Sequence, residues 1–324
     1  MPRSGSVVLN ADDPLVARMG RHSAGRVIYF SMQTTKGEEG YDRVDGHVGR
    51  GGAAFTVDET PEGDLVVLRL AGRTMPILYT HLIPATFGGK ARMNVANALA
   101  AGAAAWAAGA HLHDIRQGLR TFSTSFFQAP GRLNLLELGG VRIVIDYCHN
   151  VDGMRQLADF VGRMMTEPDL SVGRATRSKA ARAKAAEAST VRHGRAIGVI
   201  GIPGDRRDQD QRDYGAIAAT AFDQIIIRED KHLRGRAPGE SAGHVVEGTQ
   251  AARDDGSGRV TRVDRVLEEM AAVRMALGRA TPGDLIVMCV DDAVGVYREA
   301  MAASRGLGEA MAFADPGELE VPEG

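Results

Sequence analysis

Gly139-Gly140-Val141-Arg142-Ile143-Val144-Ile145-Asp146-Tyr147-Cys148-His149-Asn150 is the stretch on which the fold assignment turns. Val141, Ile143 and Ile145 share one parity while Arg142 and Val144 share the other, which is the alternation of a strand. Asp146, His149 and Asn150 emerge where that strand stops. Just upstream lies Ala129-Pro130-Gly131-Arg132-Leu133-Asn134, so an arginine precedes the strand and polar groups follow it. Open α/β sheets collect ligands at the carboxyl ends of their strands. Arg132 offers a permanent charge and a planar fork suited to phosphate. Asp146 can accept a hydrogen bond from a ribose hydroxyl.

Downstream of this strand, apolar runs at Ala196–Gly201, Gln224–Arg228 and Leu285–Val290 alternate with helical patterns. Helices are expected at Val151–Met165, Arg212–Thr220, Pro238–Thr249 and Arg262–Leu277. Strands separated by helices imply a parallel sheet covered on both faces. Upstream, Ser6–Asn10 and Arg26–Phe30 read as strands flanking a short helix from Pro14 to Met19. Short strands follow around His47-Val48, Ala53–Phe55, Leu65–Leu70 and Met75–Leu78, an antiparallel patch. An alanine-rich helix runs from Asn94 to about Ala110 and a shorter one from Asp114 to Leu119. Thr121–Gln128 reads as a linker, dividing the chain into 1–127 and 128–324. The segment 171–195 interrupts the second domain with Arg174, Arg177, Lys179, Arg182, Lys184, Arg192 and Arg195 against the single acid Glu187. It reads as a solvated insertion, or as a patch gathering a polyanion.

Composition narrows the function classes. With 324 residues, 44% hydrophobic and 25% charged, the chain is an ordinary globular one with room for two domains. A net charge of −2 proposes neither nucleic acid nor an acidic membrane as partner. Cys148 and Cys289 each end an apolar run and read as buried small hydrophobes. Two cysteines and nine scattered histidines offer no metal-ligand spacing, so no metal ligand and no catalytic side chain is assigned. No signal peptide and no apolar stretch of about 20 residues is visible, which makes the cytoplasm the expected location.

The strand-end motif resembles the one that opens the C-terminal domain of the Mur ligase superfamily, ATP-dependent amide-bond formers. Three further segments extend the likeness: Thr86–Ala101, Gly201-Ile202-Pro203-Gly204-Asp205-Arg206-Arg207-Asp208, and Arg228–Glu240. Together they are similar, in order and over nearly the whole chain, to the cyanophycin synthetase family, which attaches arginine to the side-chain carboxyls of an aspartate polymer. The fold this implies is α/β: part of a Mur-ligase central domain over 1–127, followed by a Rossmann-like Mur-ligase C-terminal domain over 128–324. A phosphate-binding loop is missing, because Gly88-Gly89-Lys90-Ala91 has alanine where a hydroxyl should meet magnesium. The resemblance therefore makes the first segment the back part of a central domain. It implies a fragment or split subunit whose partner chain would supply the loop and an ATP-grasp module. A degenerate, non-catalytic binding module is the rival.

The resemblance also implies roles. Asn94 and Asn97 would approach the adenine of ATP, Arg132 its phosphates and Asp146 its ribose, with His149 and Asn150 lining the same mouth; magnesium would bridge the phosphates. Gly204, Asp205, Arg206 and Arg207 form a turn that would face the acceptor amino acid, Arg206 or Arg207 holding its carboxylate bidentately. Glu229 and Asp230 would pair the guanidinium of an arginine acceptor. Arg234 and Arg236 would take its carboxylate or that of the Asp/Arg polymer. A homo-oligomer is expected.

Overall fold

The computed structural model describes Pro2, residues 4–166 and residues 194–306. The basic segment expected at 171–195 lies outside the described residues except for its last two. Arg195, the last of them, is committed to an ion pair with the buried Asp284 at 2.6 Å. The chain divides into two units, one ending at Ser123 and one beginning at Thr124.

The first unit holds a five-stranded sheet in the order β1 (Ser6–Asn10), β2 (Arg26–Ser31), β3 (Ala53–Thr60), β4 (Gly63–Leu70), β5 (Arg73–Tyr79). β1, β2 and β3 run parallel, and β3, β4 and β5 are antiparallel neighbours, the patch the sequence predicts. Alternation along β3 divides its side chains between two helical layers. Ala53, Phe55 and Val57 pack in the core that includes Val95, Leu99 and Ala103 of α3 (Arg92–Ala107) and Ile115 of α4 (Leu112–Thr121). Ala54 turns the other way, onto Val44 of α2 (Glu39–Gly49). Gly102 is needed in α3, since a Cβ there would stand 3.0 Å from the Phe55 ring.

The helix α2 corrects the strand expected at His47-Val48. Three glycines, at 40, 46 and 49, weaken its helix propensity and leave only the short stripe Tyr41, Val44 and Val48 to mark it. The tertiary setting demands one of them: a Cβ at Gly40 would come within 2.1 Å of Asp12 Oδ1. α1 (Pro14–Arg18) is capped by Asp13, whose carboxylate accepts from the Leu15 and Val16 amides.

The second unit is a six-stranded sheet in the order β10 (Arg262–Arg265), β9 (Gln224–Ile227), β8 (Ala196–Ile200), β11 (Leu285–Cys289), β7 (Val141–Asp146), β6 (Asn134–Leu138). All neighbours are parallel except the edge strand β6, which forms a hairpin with β7. The parity expected of β7 holds. Val141, Ile143 and Ile145 join the core with Ala272, Val273 and Ala276 of α8 (Glu269–Arg279) and with Val296 and Ala300 of α9 (Ala293–Gly306). Arg142 faces oppositely and donates to the Met164 carbonyl of α5 (Val151–Thr166). On that face lie also α6 (Asp208–Ala221) and α7 (Glu240–Asp254), in close contact through glycines: Cβ atoms at Gly215 and Gly248 would collide with carbonyls of Val245 and Arg212. β7 and β8 therefore feed helices on one face, while β11 between them feeds α9 on the other. Such a divergence opens a crevice at the carboxyl ends of the strands.

The helix expected at Arg262–Leu277 is a second correction. Arg262–Arg265 is an edge strand, and the helix begins at Glu269 behind a cap in which Glu268 accepts from the Met270 and Ala271 amides. The strand is disguised by charge: Arg262 and Asp264 share a parity and pair at 3.0 Å, so the alternation carries no hydrophobic signal.

Candidate functional site

At the carboxyl end of β7 the loop 129–134 is folded back by one buried side chain. Asn134 accepts from the Gly131 amide at 2.6 Å and donates to the Thr124 and Ala129 carbonyls, both at 2.8 Å. This holds Gly131 and Leu133 at φ of 71° and 48°, the second of which a branched side chain adopts only when the surroundings impose it. The consequence is that Arg132 projects outward, 5.9 Å over the Tyr147 ring, while the Leu133 amide donates to Asp146 Oδ2 at 2.9 Å. Burial pushes the Asp146 carboxyl above its ordinary value. Amide bonds from Leu133 and Cys148 and the charge of Arg132 pull the other way and do not win.

The structure brings His149 and Asn150 to the same strand end. His149 Nδ1 lies 2.8 Å from the Tyr147 carbonyl, which can only accept, so Nδ1 is the donor and Nε2 is left facing the strand end. Asn150 starts α5: its side-chain oxygen accepts from the Gly153 amide at 2.8 Å. Beneath them Tyr214 donates to the Cys148 carbonyl at 3.2 Å, and both cysteines are buried as expected.

The loop after β8 is built against the end of β9. Gly204 has no room for a side chain, since a Cβ would lie 2.2 Å from the Leu233 carbonyl. Arg236 braces the turn, donating to the Gly204 and Arg206 carbonyls and pairing with Asp208 and Glu240 at 2.7 Å each. Its donors are thus largely engaged within the protein. Arg234 pairs with Asp205 at 3.0 Å, and Arg207 pairs with Asp210 at 2.7 Å. Arg206 is different: Asp205 is 3.9 Å away, and its Nε is buried with no hydrogen-bond partner.

Glu229 and Asp230 are 8% and 7% exposed, deep for carboxylates. Glu229 Oε2 accepts from the Gly239 amide at 2.6 Å, at the start of α7, but Oε1 is buried without a partner. Asp230 closes a turn by accepting from the His232 amide at 2.8 Å. The preceding Arg228 went unassigned in the sequence reading, and it organises the rim. It donates to the Cys289 carbonyl at 3.0 Å, grips Asp291 with two nitrogens at 2.7 and 3.2 Å, and lies 3.3 Å from Glu269. Gly201 leaves space for it, a Cβ there standing 3.0 Å from its Nε. The ends of β8, β9 and β11 are thereby tied together. A lone arginine at the end of an isoleucine run was the only sequence signal.

Asn94 and Asn97 belong to the first unit. Asn94 donates to the Ala85 carbonyl at 2.6 Å and accepts from Asn97 at 3.3 Å, which leaves the exposed Asn97 carboxamide oxygen open. In the Gly88–Ala91 segment the amides turn inward: Gly89 donates to the Thr86 hydroxyl, Lys90 to the Phe87 carbonyl and Ala91 to the Thr86 carbonyl. They do not converge on an anion. Among the described residues no three histidine, cysteine or acidic side chains come together to hold a metal, and no helix is long and apolar enough to cross a membrane.

Solved Mur ligases share the fold of this chain over about half of their own length. A murein peptide ligase from Psychrobacter arcticus aligns with 97% of this chain and 53% of its own, at a TM-score of 0.58 and 14% identity. MurF ligase from Thermotoga maritima, in complex with ADP, covers 94% of this chain and 54% of its own at a TM-score of 0.53 and 14% identity. In sequence the chain is similar to a Mur-ligase-like portion of cyanophycin synthetase. It is 37% identical over 285 residues to the enzyme of Synechocystis sp., covering 88% of this chain and 28% of that relative's length. No family model matches the chain.

Proposed function

We propose that the chain works as the nucleotide-facing and acceptor-binding portion of an ATP-dependent ligase that adds arginine to the aspartate side chains of a growing Asp/Arg polymer. The observation that carries the acceptor assignment is the buried, unpartnered Oε1 of Glu229, with Asp230 next to it. A buried carboxylate oxygen without a donor is costly, and a guanidinium would satisfy it. Arg206, with an unpartnered Nε, would hold the acceptor's carboxylate.

The β7 rim fits a nucleotide's sugar and phosphates. Arg132 is exposed and has no ion pair among the described residues, and Asp146 would accept from a ribose hydroxyl. Bound ATP supplies the phosphoryl group that converts a carboxylate to an acyl phosphate, from which an amine displaces phosphate. The protein's part is positioning and charge neutralisation. Magnesium finds no cluster of three histidine, cysteine or acidic side chains among the described residues, so no residue here is assigned to it. The remainder of a complete ligase, on the same polypeptide or on a partner chain, would supply the phosphate loop. A homo-oligomer and a cytoplasmic location complete the reading.

Calorimetric titration tests it. Arginine should bind roughly tenfold more tightly than citrulline, which keeps the shape and loses the charge; a charge-assisted hydrogen bond is worth about 1.5–3 kcal/mol. Replacing Glu229 and Asp230 with glutamine and asparagine should erase the preference. Equal affinities in the unmodified protein would remove the acceptor assignment.

The rival reading, a non-catalytic binding module, draws on the inward-turned amides of Gly89, Lys90 and Ala91. Both readings predict that the isolated chain, given ATP, magnesium, aspartate-rich primer and arginine, releases phosphate no faster than buffer. Primer-dependent turnover would defeat both. A neighbouring reading frame with an ATP-grasp module and a Gly-Lys-Thr or Gly-Lys-Ser loop would decide for the ligase.

A further inference from the structure

Beside the acceptor rim lies a cleft of about 510 Å³ that the Glu229 and Asp230 carboxylates do not line. Its walls are the first turn of α5 and the segment from Ile202 to Asp213, all within the second unit. The volume is in the range of small-molecule sites. Its charges balance: Arg155, Arg206 and Arg207 stand against Asp152, Asp210 and Asp213. Two of these groups are spoken for, since Arg207 grips Asp210 with contacts of 2.9 and 2.7 Å. A third, Asp213, accepts from the Gln209 carboxamide at 2.7 Å and keeps its other oxygen.

Asp152 and Arg155 remain wholly available. They stand three residues apart on one helix face, a spacing at which opposite charges commonly pair. Both are exposed and make no hydrogen bond or ion pair among the described residues. Arg206, assigned above to the acceptor's carboxylate, borders the cleft on its rim side. Cationic and anionic groups thus alternate around the cleft without closing on each other. A simple polyanion such as a nucleic acid would meet three carboxylates here. The amides of the α5 N-terminus are also partly taken, Gly153 by Asn150. A ligand complementary to this lining carries both signs at short spacing.

We propose that this cleft holds a zwitterionic peptide, in which carboxylates and guanidinium groups recur on successive side chains. The inference rests on the ligase reading only in identifying that peptide with the Asp/Arg product. The cleft would keep the polymer beside the rim between additions, its carboxylates on Arg155 and its guanidinium groups on Asp152 and Asp213. Val151 and Ile202 provide apolar wall for the methylenes. Holding several units at once raises the effective concentration of the chain end at the reaction site.

The test is fluorescence anisotropy on the full chain with a labelled short oligo-aspartate bearing arginine on each side-chain carboxyl. Oligo-aspartate and oligo-arginine of equal length serve as single-sign probes. The conjugate should bind roughly tenfold more tightly than either, and both Arg155→Gln and Asp152→Asn should weaken it several-fold while their melting curves match the unmodified protein. Saturating free arginine should not displace it. Oligo-aspartate binding as tightly as the conjugate would reduce the cleft to an anion patch and overturn the proposal. Displacement by free arginine would also overturn it, placing the conjugate in the acceptor pocket. The arginine–citrulline titration is independent: if it fails while the conjugate stays selective, the cleft stands and the acceptor assignment falls.

Discussion

The two rims of the second unit's sheet treat their charged groups in opposite ways. At the amino ends, Asp284 accepts from the Arg195 amide at 2.8 Å and its guanidinium at 2.6 Å, and from the Thr281 amide and hydroxyl at 2.9 and 3.0 Å. Asp223 accepts from the Ala196 amide at 2.7 Å and pairs with Arg259 at 2.9 Å. At the carboxyl ends, Glu229 and Arg206 keep buried atoms without partners. The same contrast governs ionisation. Burial works against both Asp284 and Asp146, but the Arg195 and Thr281 donors outweigh it and hold Asp284 below its ordinary value, whereas Asp146 is pushed up. At the amino-end rim the acids are paired by the protein's own donors, although the Gln224 side-chain oxygen is buried there without a partner; at the carboxyl-end rim it is charged groups that are left short of partners. Buried charged groups left without partners, together with a carboxyl pushed up by burial, are what a binding site requires.

Arg228 is the exception that keeps the open rim in shape, and removing it should give the largest effect. It is 4% exposed, between the carboxylates of Asp291 and Glu269. Arg228→Leu leaves the buried Glu269 and the half-buried Asp291 without their cation, an arrangement that costs about 3–5 kcal/mol. Urea unfolding followed by circular dichroism should show the loss. A change below about 1 kcal/mol would mean that the rim is held by backbone packing alone, and the contrast between the rims would have to be redrawn.

At the amino-end rim the expected loss is smaller. Asp284→Asn keeps one acceptor oxygen and loses the ionic partner of Arg195, so several donors compete for one carbonyl. A cost of about 1–3 kcal/mol follows. Lowering the pH should produce a similar loss in the unmodified protein. A carboxylate held below its ordinary value contributes stability above 3.8 that disappears as the pH falls through its folded-state value. Stability of Asp284→Asn should therefore be less sensitive to acid than that of the parent. If both proteins lose stability in parallel, the amino-end network is not the acid-labile one.

How much of this was legible in the sequence follows the same physical division. β7, β8, β9 and β11 are buried on both faces, so their apolar runs were readable and their boundaries moved by one residue at most. α2 and β10 were misread because glycines weaken the helix propensity of the one and a charge pair replaces the hydrophobic period of the other. α9 and the hairpin strand β6 were not anticipated. The cluster of polar residues at the strand ends was readable because glycines, arginines and acids punctuate the apolar runs there. What no pattern reveals is where a side chain spends its hydrogen bonds. Asn134 and Arg228 stabilise the rim through carbonyls contributed by distant residues, such as Cys289, and Arg236, expected to face a ligand, braces the Gly204 turn. The adenine and arginine assignments came from family resemblance, and they remain the part of the reading that binding measurements must test.

The smallest expected effect is at Asp146, and its sign separates the two rims most sharply. A carboxyl raised by burial binds its proton more tightly in the folded state than in the unfolded chain. The stability it contributes is fully present below 3.8 and is lost as the pH rises through its folded-state value, the reverse of Asp284. Asp146→Asn removes that titration and retains an oxygen for the Leu133 amide, so the 131–134 loop should keep its conformation. Relative to the parent, the variant should therefore gain stability as the pH rises from 3.8 toward neutrality, by less than either loss above. Urea midpoints of both proteins across that range give the difference directly. A nucleotide ribose would replace lost solvent around the ionised carboxylate, and ADP should narrow the gap between the two proteins at neutral pH. If the variant instead loses ground with rising pH, Asp146 is a stabilising carboxylate like Asp284, and the open rim begins farther along the sheet, at β8 and β9.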